Sequence, residues 1–332
     1  MSVLRLAVAL LACLILLPLD AAAWDRGSVE RFATLPPGAL NPEGITVDRR
    51  NGDVYVTGFN PTGAGTPQIY VFGDGGSLKR ILNVTNASSA LLGIAFHPRT
   101  SSLLVADLGA GNVVEVNPQT GAGRVFTAIG AAAGLNALAF DAAGNVYVSG
   151  SFSGAIYRTG QRGGASMVWA QSPLLQTSGF PPFGANGIDF SRDEGSLFVA
   201  NTGNDTVVRV PKDPATGAAG TPAVLTNSIN GADGLFVDEE DNLWVCANQA
   251  DEIVVIDASG KAIAKLGDFN GVRNGSPEGL LFPASLARDG GFVYITNLSL
   301  DLRPITTQQS VDSQWAAQVT RHTISRVRAV IP

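Results

Sequence analysis

Four oxygen-bearing side chains recur at matching places along this chain of 332 residues. Each stands directly before a short apolar run, and they are Glu43, Asn136, Asn186 and Asp233. Carboxylates and carboxamides are ligands that hard divalent cations prefer, and two carboxylates brought together without a cation would repel each other. The set therefore predicts a metal site if the four side chains converge. Ca²⁺ is favoured, followed by Mg²⁺ and Mn²⁺, whereas Zn²⁺ is disfavoured because it prefers nitrogen and sulfur ligands.

Turn formation is the alternative explanation for the same residues. Asn-Gly and Asp-Gly pairs often shape a bend before a strand. This accounts for Asn186 and Asp233, each of which precedes glycine. It accounts less well for Asn136, which precedes alanine, and least well for Glu43, because glutamate is not a favoured turn residue.

The positions of these residues follow an internal repeat. Six segments align, each with two short apolar runs joined by a polar turn, as in "DGLFVDEEDNLWVCAN" from Asp233. Their starts are separated by 49, 44, 50, 47 and 51 residues. Most units continue into a third strand such as 112–117 and a fourth such as 123–129. First strands alternate apolar and other residues, as at Ile45 and Val47, which is the period of a β-strand.

Four short strands repeated six times predict an all-β fold, a six-bladed β-propeller with blades of four antiparallel strands. We expect residues 28–35 to form the outer strand of the sixth blade beside 322–330, so that the N-terminal strand closes the ring. A tandem pair of β-sandwiches is the alternative, but it does not require even spacing around one repeated strand pair. First strands of a propeller line its central tunnel. The residues that begin the units then form one axial ring: Glu43, Leu92, Asn136, Asn186, Asp233 and Ala284.

The ring motifs resemble those of the senescence marker protein/gluconolactonase/luciferin-regenerating enzyme-like family of six-bladed propellers. The similar segments are "PEG" with Glu43, "NAL" with Asn136, "ANGIDFS" with Asn186 and "ADGLFVDEEDNLWV" with Asp233. The resemblance implies that these four residues hold a divalent cation and that Asp233 also acts as general base. It implies hydrolysis of a lactone, such as a sugar lactone, or of a related ester bond. "NPEGITVD" departs from the family in lacking an aromatic residue after the glycine, which bears on the substrate pocket.

Two other functions stay open from the sequence. One is a non-catalytic propeller of the NHL type that binds a protein or glycan, and the other is a propeller similar to strictosidine synthase. Other catalytic motifs are missing: the chain has no G-x-S-x-G elbow, and its two histidines do not support a Ser-His-Asp triad. Sugar lactones, acyl lactones and organophosphates are not distinguished as substrates.

Long connections enter the ring end of the predicted propeller, which is where binding residues commonly lie. These connections are 170–185, 267–283 and 301–320, and we expect Phe183 and Trp315 to wall a pocket there. The ends of second strands return to the same end. This places Asp107 and Asn201 near the ring as further candidates.

The N-terminus predicts export. Arg5, an apolar run over 6–19 and Ala21-Ala22-Ala23 indicate a signal peptide over 1–23, with 24–332 as one propeller domain; an uncleaved membrane anchor is the alternative. We therefore expect a secreted or periplasmic protein without a membrane contact after cleavage. Its net charge of −6 and lack of a basic patch argue against nucleic acid. Cys246 stands alone once Cys13 is removed, so no internal disulfide is expected. We expect a monomer that acts on a small molecule.

Overall fold

The computed structural model describes residues 25–303 and 311–332. The predicted signal peptide lies outside the described residues, and so does the stretch 304–310 of the last long connection. The described chain forms six antiparallel sheets of four strands, together with one two-stranded hairpin. The six-bladed propeller predicted from the repeat is thereby confirmed.

Each of blades 1 to 5 is built from four consecutive strands, which follow one another from the axis outward. Blade 1 consists of Asn41–Asp48, Asp53–Phe59, Gln68–Phe72 and Leu78–Asn83. Blade 2 consists of Leu91–Phe96, Leu103–Asp107, Asn112–Val116 and Gly123–Ala128. Blade 3 consists of Leu135–Phe140, Val146–Gly150, Ala155–Thr159 and Ser166–Gln171. Blade 4 consists of Ala185–Phe190, Ser196–Asn201, Thr206–Pro211 and Ala223–Asn227, and blade 5 of Ala232–Val237, Leu243–Ala247, Glu252–Ile256 and Ala262–Leu266.

The sixth blade closes the ring with both ends of the described chain. Its strands, from the axis outward, are Pro283–Asp289, Phe292–Asn297, Thr323–Arg328 and Glu30–Thr34. The last two pair antiparallel, with Glu30 opposite Arg326 and Thr34 opposite Thr323. The Phe32 ring packs edge-on against that of Tyr294, with 4.8 Å between centroids. The predicted closure by the N-terminal strand is therefore confirmed.

Burial falls from the second strand to the outer strand of a blade. Asp53–Phe59 and Leu243–Ala247 are buried along their whole length because neighbouring blades cover both faces of the sheet. Outer strands such as Gly123–Ala128 bury only part of their residues. The core is therefore a series of apolar layers between blades. Cys246 lies in one of them as a free, buried thiol, so this layer is held by packing.

Four connections contain short elements that the sequence did not reveal. The connection 267–283 folds into a hairpin of Phe269–Arg273 and Ser276–Gly279, and Val311–Ala316 forms a short α-helix. Ala131–Ala133 and Pro173–Leu175 form single 3₁₀ turns. Elements this short show no measurable periodicity, because a six-residue helix has fewer than two turns. In the described ranges no helix combines the length and apolarity needed to cross a membrane.

Candidate metal centre

A β-bulge places the axial ring residue in every blade. The pairing between first and second strands shifts register there, for example between Ala185 and Ile188 and between Ala232 and Leu235. Three residue steps on the first strand match two on the second, so one residue is left out of the ladder. Such bulges bend a strand and redirect its side chains. Asn186 and Asp233 therefore lie at bulges within strands, rather than in the turns that an Asn-Gly or Asp-Gly pair suggests.

The glycine after most ring residues permits close approach of neighbouring blades. A Cβ atom on Gly44 would lie 2.2 Å from the carbonyl oxygen of Leu92, and one on Gly187 would lie 2.5 Å from that of Asp233. These distances are far below van der Waals contact, so a larger residue would push the first strands apart. The ring residues can gather around the axis because the positions that follow them are small.

The four oxygen-bearing ring residues line a single cavity on the axis. Their side chains are only 3–5% exposed. The cavity has a volume of about 40 Å³, which is room for about three water-sized groups. Leu92, a fifth ring residue, also lines it, whereas Ala284 is buried in the apolar cluster beside it. The structure thus brings Glu43, Asn136, Asn186 and Asp233 together.

Each of the two carboxylates at the cavity has an oxygen without a hydrogen-bond partner. Glu43 Oε2 and Asp233 Oδ1 are buried without a hydrogen bond. Burial raises the pKa of Glu43 well above its usual value, and the charge of Asp233 raises it further. Burial also raises the pKa of Asp233 to about 7, although the hydrogen bond from Asn248 opposes the shift. Both carboxyl groups are therefore short of stabilising positive charge.

A divalent cation fits this donor set. Two orphaned carboxylate oxygens balance its charge, and two carboxamides can add neutral oxygen ligands, which is the chemistry that Ca²⁺ and Mg²⁺ select. Across the described residues no group of three or more His, Cys, Asp or Glu side chains is placed to hold a metal ion. A cation in this cavity would thus depend on Asn136 and Asn186 as well as on the two acids.

Hydroxyl groups fix the orientation of both carboxamides. Asn136 Nδ2 donates to Ser151 Oγ at 3.2 Å, and Ser151 Oγ donates to the carbonyl of Ala185 at 2.7 Å. In the next blade, Asn186 Nδ2 donates to Thr202 Oγ1 at 2.9 Å, and that hydroxyl donates to the carbonyl of Ala232 at 2.8 Å. Each hydroxyl binds the blade that follows its own. Because the amide nitrogens are engaged, the amide oxygens remain available as acceptors.

Asn248 plays the corresponding part in blade 5. Its Nδ2 donates to Asp233 Oδ2 at 2.7 Å, which holds the carboxylate while Oδ1 stays unpaired. Ser151, Thr202 and Asn248 were not anticipated from the sequence. A signal was present, because each follows the ring residue of its blade by 15 or 16 positions.

The candidates Asp107 and Asn201 do not line the cavity. Asp107 accepts hydrogen bonds from the Ser88 amide at 2.7 Å, in the connection that enters its blade, and from the Ala110 amide at 3.0 Å, in the turn that follows its strand. Asn201 donates to the carbonyl oxygens of Leu174 and Gln176, both at 2.9 Å. Successive side chains of a strand point to opposite faces. The side chain that reaches the cavity in blade 4 is therefore the next one, Thr202, and the prediction for Asn201 missed it by one residue.

The two aromatic candidates are placed differently from each other. Phe183 lines the cavity, as expected. Trp315 does not: its ring packs against that of Phe269 with 5.4 Å between centroids, and its side chain is 37% exposed. The hairpin formed by 267–283 gives Trp315 this neighbour, and that hairpin was not anticipated from the sequence.

A family model described as "SMP-30/Gluconolactonase/LRE-like region" matches residues 84–267, which is more than half of the chain. The chain belongs to this family. The matched region contains three of the four oxygen-bearing ring residues. None of the curated protein sequences matches this chain.

Solved structures share the fold of this family member. A luciferin-regenerating enzyme is 17% identical, with 92% of this chain and 96% of that chain covered and a TM-score of 0.64. Regucalcin from Agrobacterium tumefaciens, described as a calcium-binding protein, is 18% identical, with 90% and 95% covered and a TM-score of 0.60. A gluconolactonase from Xanthomonas campestris is 13% identical, with 93% and 91% covered and a TM-score of 0.64. At these identities the likeness concerns the fold.

Proposed function

We propose that this protein is a divalent-cation-dependent hydrolase of lactones or related esters. The observation that carries the proposal is the pair of buried, unpartnered carboxylate oxygens on Glu43 and Asp233, which line one cavity with two oriented carboxamides. Membership of the family supports the reaction class, since a gluconolactonase shares the fold. The calcium-binding description of regucalcin supports Ca²⁺ as the ion.

The proposed roles follow from the contacts of each residue. Glu43 and Asp233 would supply two negative charges, and Asn136 and Asn186 would supply carbonyl oxygens. A divalent cation held by this set supplies the positive charge that polarises an ester carbonyl. Hydroxyls already orient the two carboxamides and Asn248 holds Asp233, so these three groups need little reorganisation on binding.

Asp233 is the proposed general base. Asn248 holds its Oδ2. Its Oδ1 has no hydrogen bond in the protein and, besides the lone pair proposed for the cation, has a second lone pair that can accept a proton from a water molecule that attacks the carbonyl. Proton transfer by a positioned side chain contributes typically ~10²–10⁴-fold to a rate. Glu43 has no comparable contact to its carboxylate and is assigned an anchoring role only.

The direct test is hydrolysis with controlled metal content. Purified protein is assayed on simple lactones, D-gluconolactone, aryl esters and phosphotriesters, before chelation, after chelation and after calcium is added back. Activity should disappear with the ion and return with calcium. Glu278→Gln is a matched control, because Glu278 pairs with Arg31 at 2.7 Å on the surface. It should behave as the wild type throughout.

Two results would contradict the proposal. Hydrolysis that survives complete chelation would remove the cation from the reaction. No hydrolysis of any of these substrates by protein with a demonstrated bound ion would favour a binding propeller.

We also propose that the protein acts outside the cytoplasm as a monomer on a small molecule. The support for export is the N-terminal sequence pattern, with its apolar run and small residues before Trp24. N-terminal sequencing of protein recovered from its native host should begin at Trp24. A first residue at Met1 in that material would contradict export by cleavage.

A further inference from the structure

The cavity has two chemically different halves. At the end of the second strand, blades 4 and 5 place Thr202 and Asn248 at the cavity, whereas blades 1 and 6 place Phe59 and Leu298 at the same position. The axial ring changes in the same direction, because blade 2 contributes Leu92 where blades 3 to 5 contribute oxygen ligands. Apart from Glu43, the side of the cavity formed by blades 6, 1 and 2 is apolar.

This apolar side is a packed wall. Its side chains belong to one buried cluster, and they are Phe59, Leu92, Phe282, Leu298, Leu300 and Leu302. The backbone of Leu302 is held in place, because its amide donates to Ser313 Oγ at 3.3 Å. A packed wall of this kind offers a ligand dispersion and apolar contact but no hydrogen bonds.

The polar side has few groups left to recognise hydroxyls on a ligand. Thr202 Oγ1 already receives a hydrogen bond from Asn186 and donates one to Ala232. Asn248 Nδ2 is engaged by Asp233, and Asn248 Oδ1 accepts from Gln249 Nε2 at 3.0 Å. A polyhydroxylated ligand would therefore bury several hydroxyls without partners, which strongly opposes binding.

The apolar surface continues outward from the cavity. Phe183 lines the cavity and also packs against Phe152, with 5.5 Å between ring centroids. Phe152 is 50% exposed, so the pair leads from the cavity to the solvent-facing rim on the side of blades 3 and 4. An alkyl or aryl substituent could lie along these two rings while the ester carbonyl occupies the cavity.

We infer that the substrate is a lactone or ester with an apolar ring and an alkyl or aryl substituent, and that sugar lactones are poor substrates. This inference rests on the proposed hydrolase function for the reaction itself. It concerns only the part of the ligand that does not react.

A homologous series of lactones tests the inference by activity. γ-Butyrolactone is compared with γ-lactones that carry progressively longer alkyl chains, and with D-gluconolactone. We expect kcat/KM to rise about fourfold per added methylene over the first few, the change that corresponds to ~0.8 kcal/mol of apolar burial. D-gluconolactone should fall below every alkyl lactone. Hydrolysis of D-gluconolactone as fast as or faster than that of the alkyl lactones would overturn the inference and leave the hydrolase function intact.

Two variants locate the effect. Phe183→Ala should reduce the ratio of kcat/KM for the longest alkyl lactone to that for γ-butyrolactone by about tenfold, because it shortens the apolar track by one aromatic ring. Met167→Ala removes a side chain that is 63% exposed on the outer strand of blade 3, and it should leave the ratio unchanged. Equal ratios for wild type and Phe183→Ala would contradict the proposed path.

A binding measurement separates the inference from the hydrolase function. 3-Alkylcyclopentanones replace the ring oxygen of a γ-lactone with CH₂ and cannot be hydrolysed. Calorimetry should show affinity that rises with alkyl chain length. If no lactone is hydrolysed but this trend is found, the hydrolase proposal fails and the apolar ligand site stands. If affinity does not depend on chain length, the inference is wrong whether or not lactones are hydrolysed.

Discussion

Both ends of the first strands carry buried carboxylates, but the two ends differ in the hydrogen bonds that these carboxylates receive. At the end away from the cavity, Asp141 and Asp238 directly follow their first strands and are about as buried as Glu43 and Asp233. Asp238 accepts hydrogen bonds from Trp244 Nε1 at 2.9 Å and from the Asn242 amide at 2.9 Å. Burial acts to raise its pKa, but these and further hydrogen bonds outweigh burial and lower it.

Burial alone therefore does not distinguish the carboxylates at the cavity from those at the far end of the strands. Asp233 is buried like Asp238, but one of its oxygens has no partner and its pKa is raised to about 7. At the far end the protein itself supplies the donors that an ionised carboxylate requires. At the cavity end it does not supply them, and under the proposed function a divalent cation would meet that requirement.

The largest expected effect is a difference in kcat between variants of the two carboxylates at the cavity. Asp233→Asn keeps the size and one ligand oxygen but removes the base and a charge, whereas Glu43→Gln removes a charge from an anchoring residue. With calcium in excess, Asp233→Asn should remain ~10²–10⁴-fold below wild type in kcat. Glu43→Gln should recover much of its activity. Equal recovery of both variants would remove Asp233 from the role of base.

The next effect concerns a residue that orients a proposed ligand. Thr202→Val keeps the shape of the side chain but removes the hydroxyl that receives Asn186 Nδ2. Loss of such a supporting contact typically weakens metal binding ~10–100-fold. Thr127→Val is the matched control, since it removes a buried hydroxyl that donates to Gly164 at 2.7 Å on the outer strand of blade 2. Calcium titration should show a lower affinity for Thr202→Val and an unchanged affinity for Thr127→Val. Equal affinities of the two variants would contradict the orienting role.

Replacing aspartate with asparagine should change the free energy of unfolding in opposite directions at the two ends of the strand. In chelator, Asp238→Asn should lower the free energy of unfolding by about 1–3 kcal/mol, because buried donors lose a charged acceptor. Asp233→Asn should not destabilise the chelated protein, and it should stabilise it near neutral pH, because it removes the charge of a buried carboxylate whose Oδ1 has no partner. Urea denaturation at neutral pH measures both. Destabilisation of similar size by both substitutions would show that the two ends do not differ.

The pH dependence of stability sharpens the same contrast. Asp233 has its pKa raised from 3.8 to about 7, so between these values the folded state of the chelated protein binds a proton that the unfolded state has lost. Stability should therefore fall as pH rises through this window. The raised pKa of Glu43 acts in the same direction. Asp238, with its lowered pKa, contributes stability that is lost only as the solution becomes more acidic than its usual titration range.

Urea denaturation of chelated protein at several pH values in this window measures the slope of the free energy of unfolding against pH. Asp233→Asn should flatten it, and Asp238→Asn should not. A wild-type slope that is flat or rises with pH would contradict the raised pKa at the cavity.

The sequence predicted the features that repeat. Six strand pairs at even intervals were sufficient to predict the blades, the closure by residues 28–35 and the ring that contains Glu43 and Asp233. Features set by single contacts were not predictable in the same way. Asp233 and Asp238 are both aspartates at ends of one strand, and only their tertiary partners distinguish them.

Other misses have equally local causes. Asn201 was expected near the ring, but the residue that lines the cavity is its neighbour Thr202, because successive strand side chains point to opposite faces. Trp315 was expected at the pocket because its connection enters that end, but an unforeseen hairpin gives its ring another neighbour in Phe269. A repeat averages over such differences, so it locates the site better than it identifies the residues that support it.

The most direct test of the central claim is thermal unfolding of chelated protein with and without calcium. An ion that binds only the folded state at 100 times its Kd adds about 2.7 kcal/mol, which corresponds to a rise in Tm on the order of 5 °C. We expect this rise for the wild type and for Asp238→Asn, and its loss in the double variant Glu43→Gln/Asp233→Asn. An unchanged wild-type Tm, together with no divalent ion in elemental analysis of untreated protein, would contradict the account.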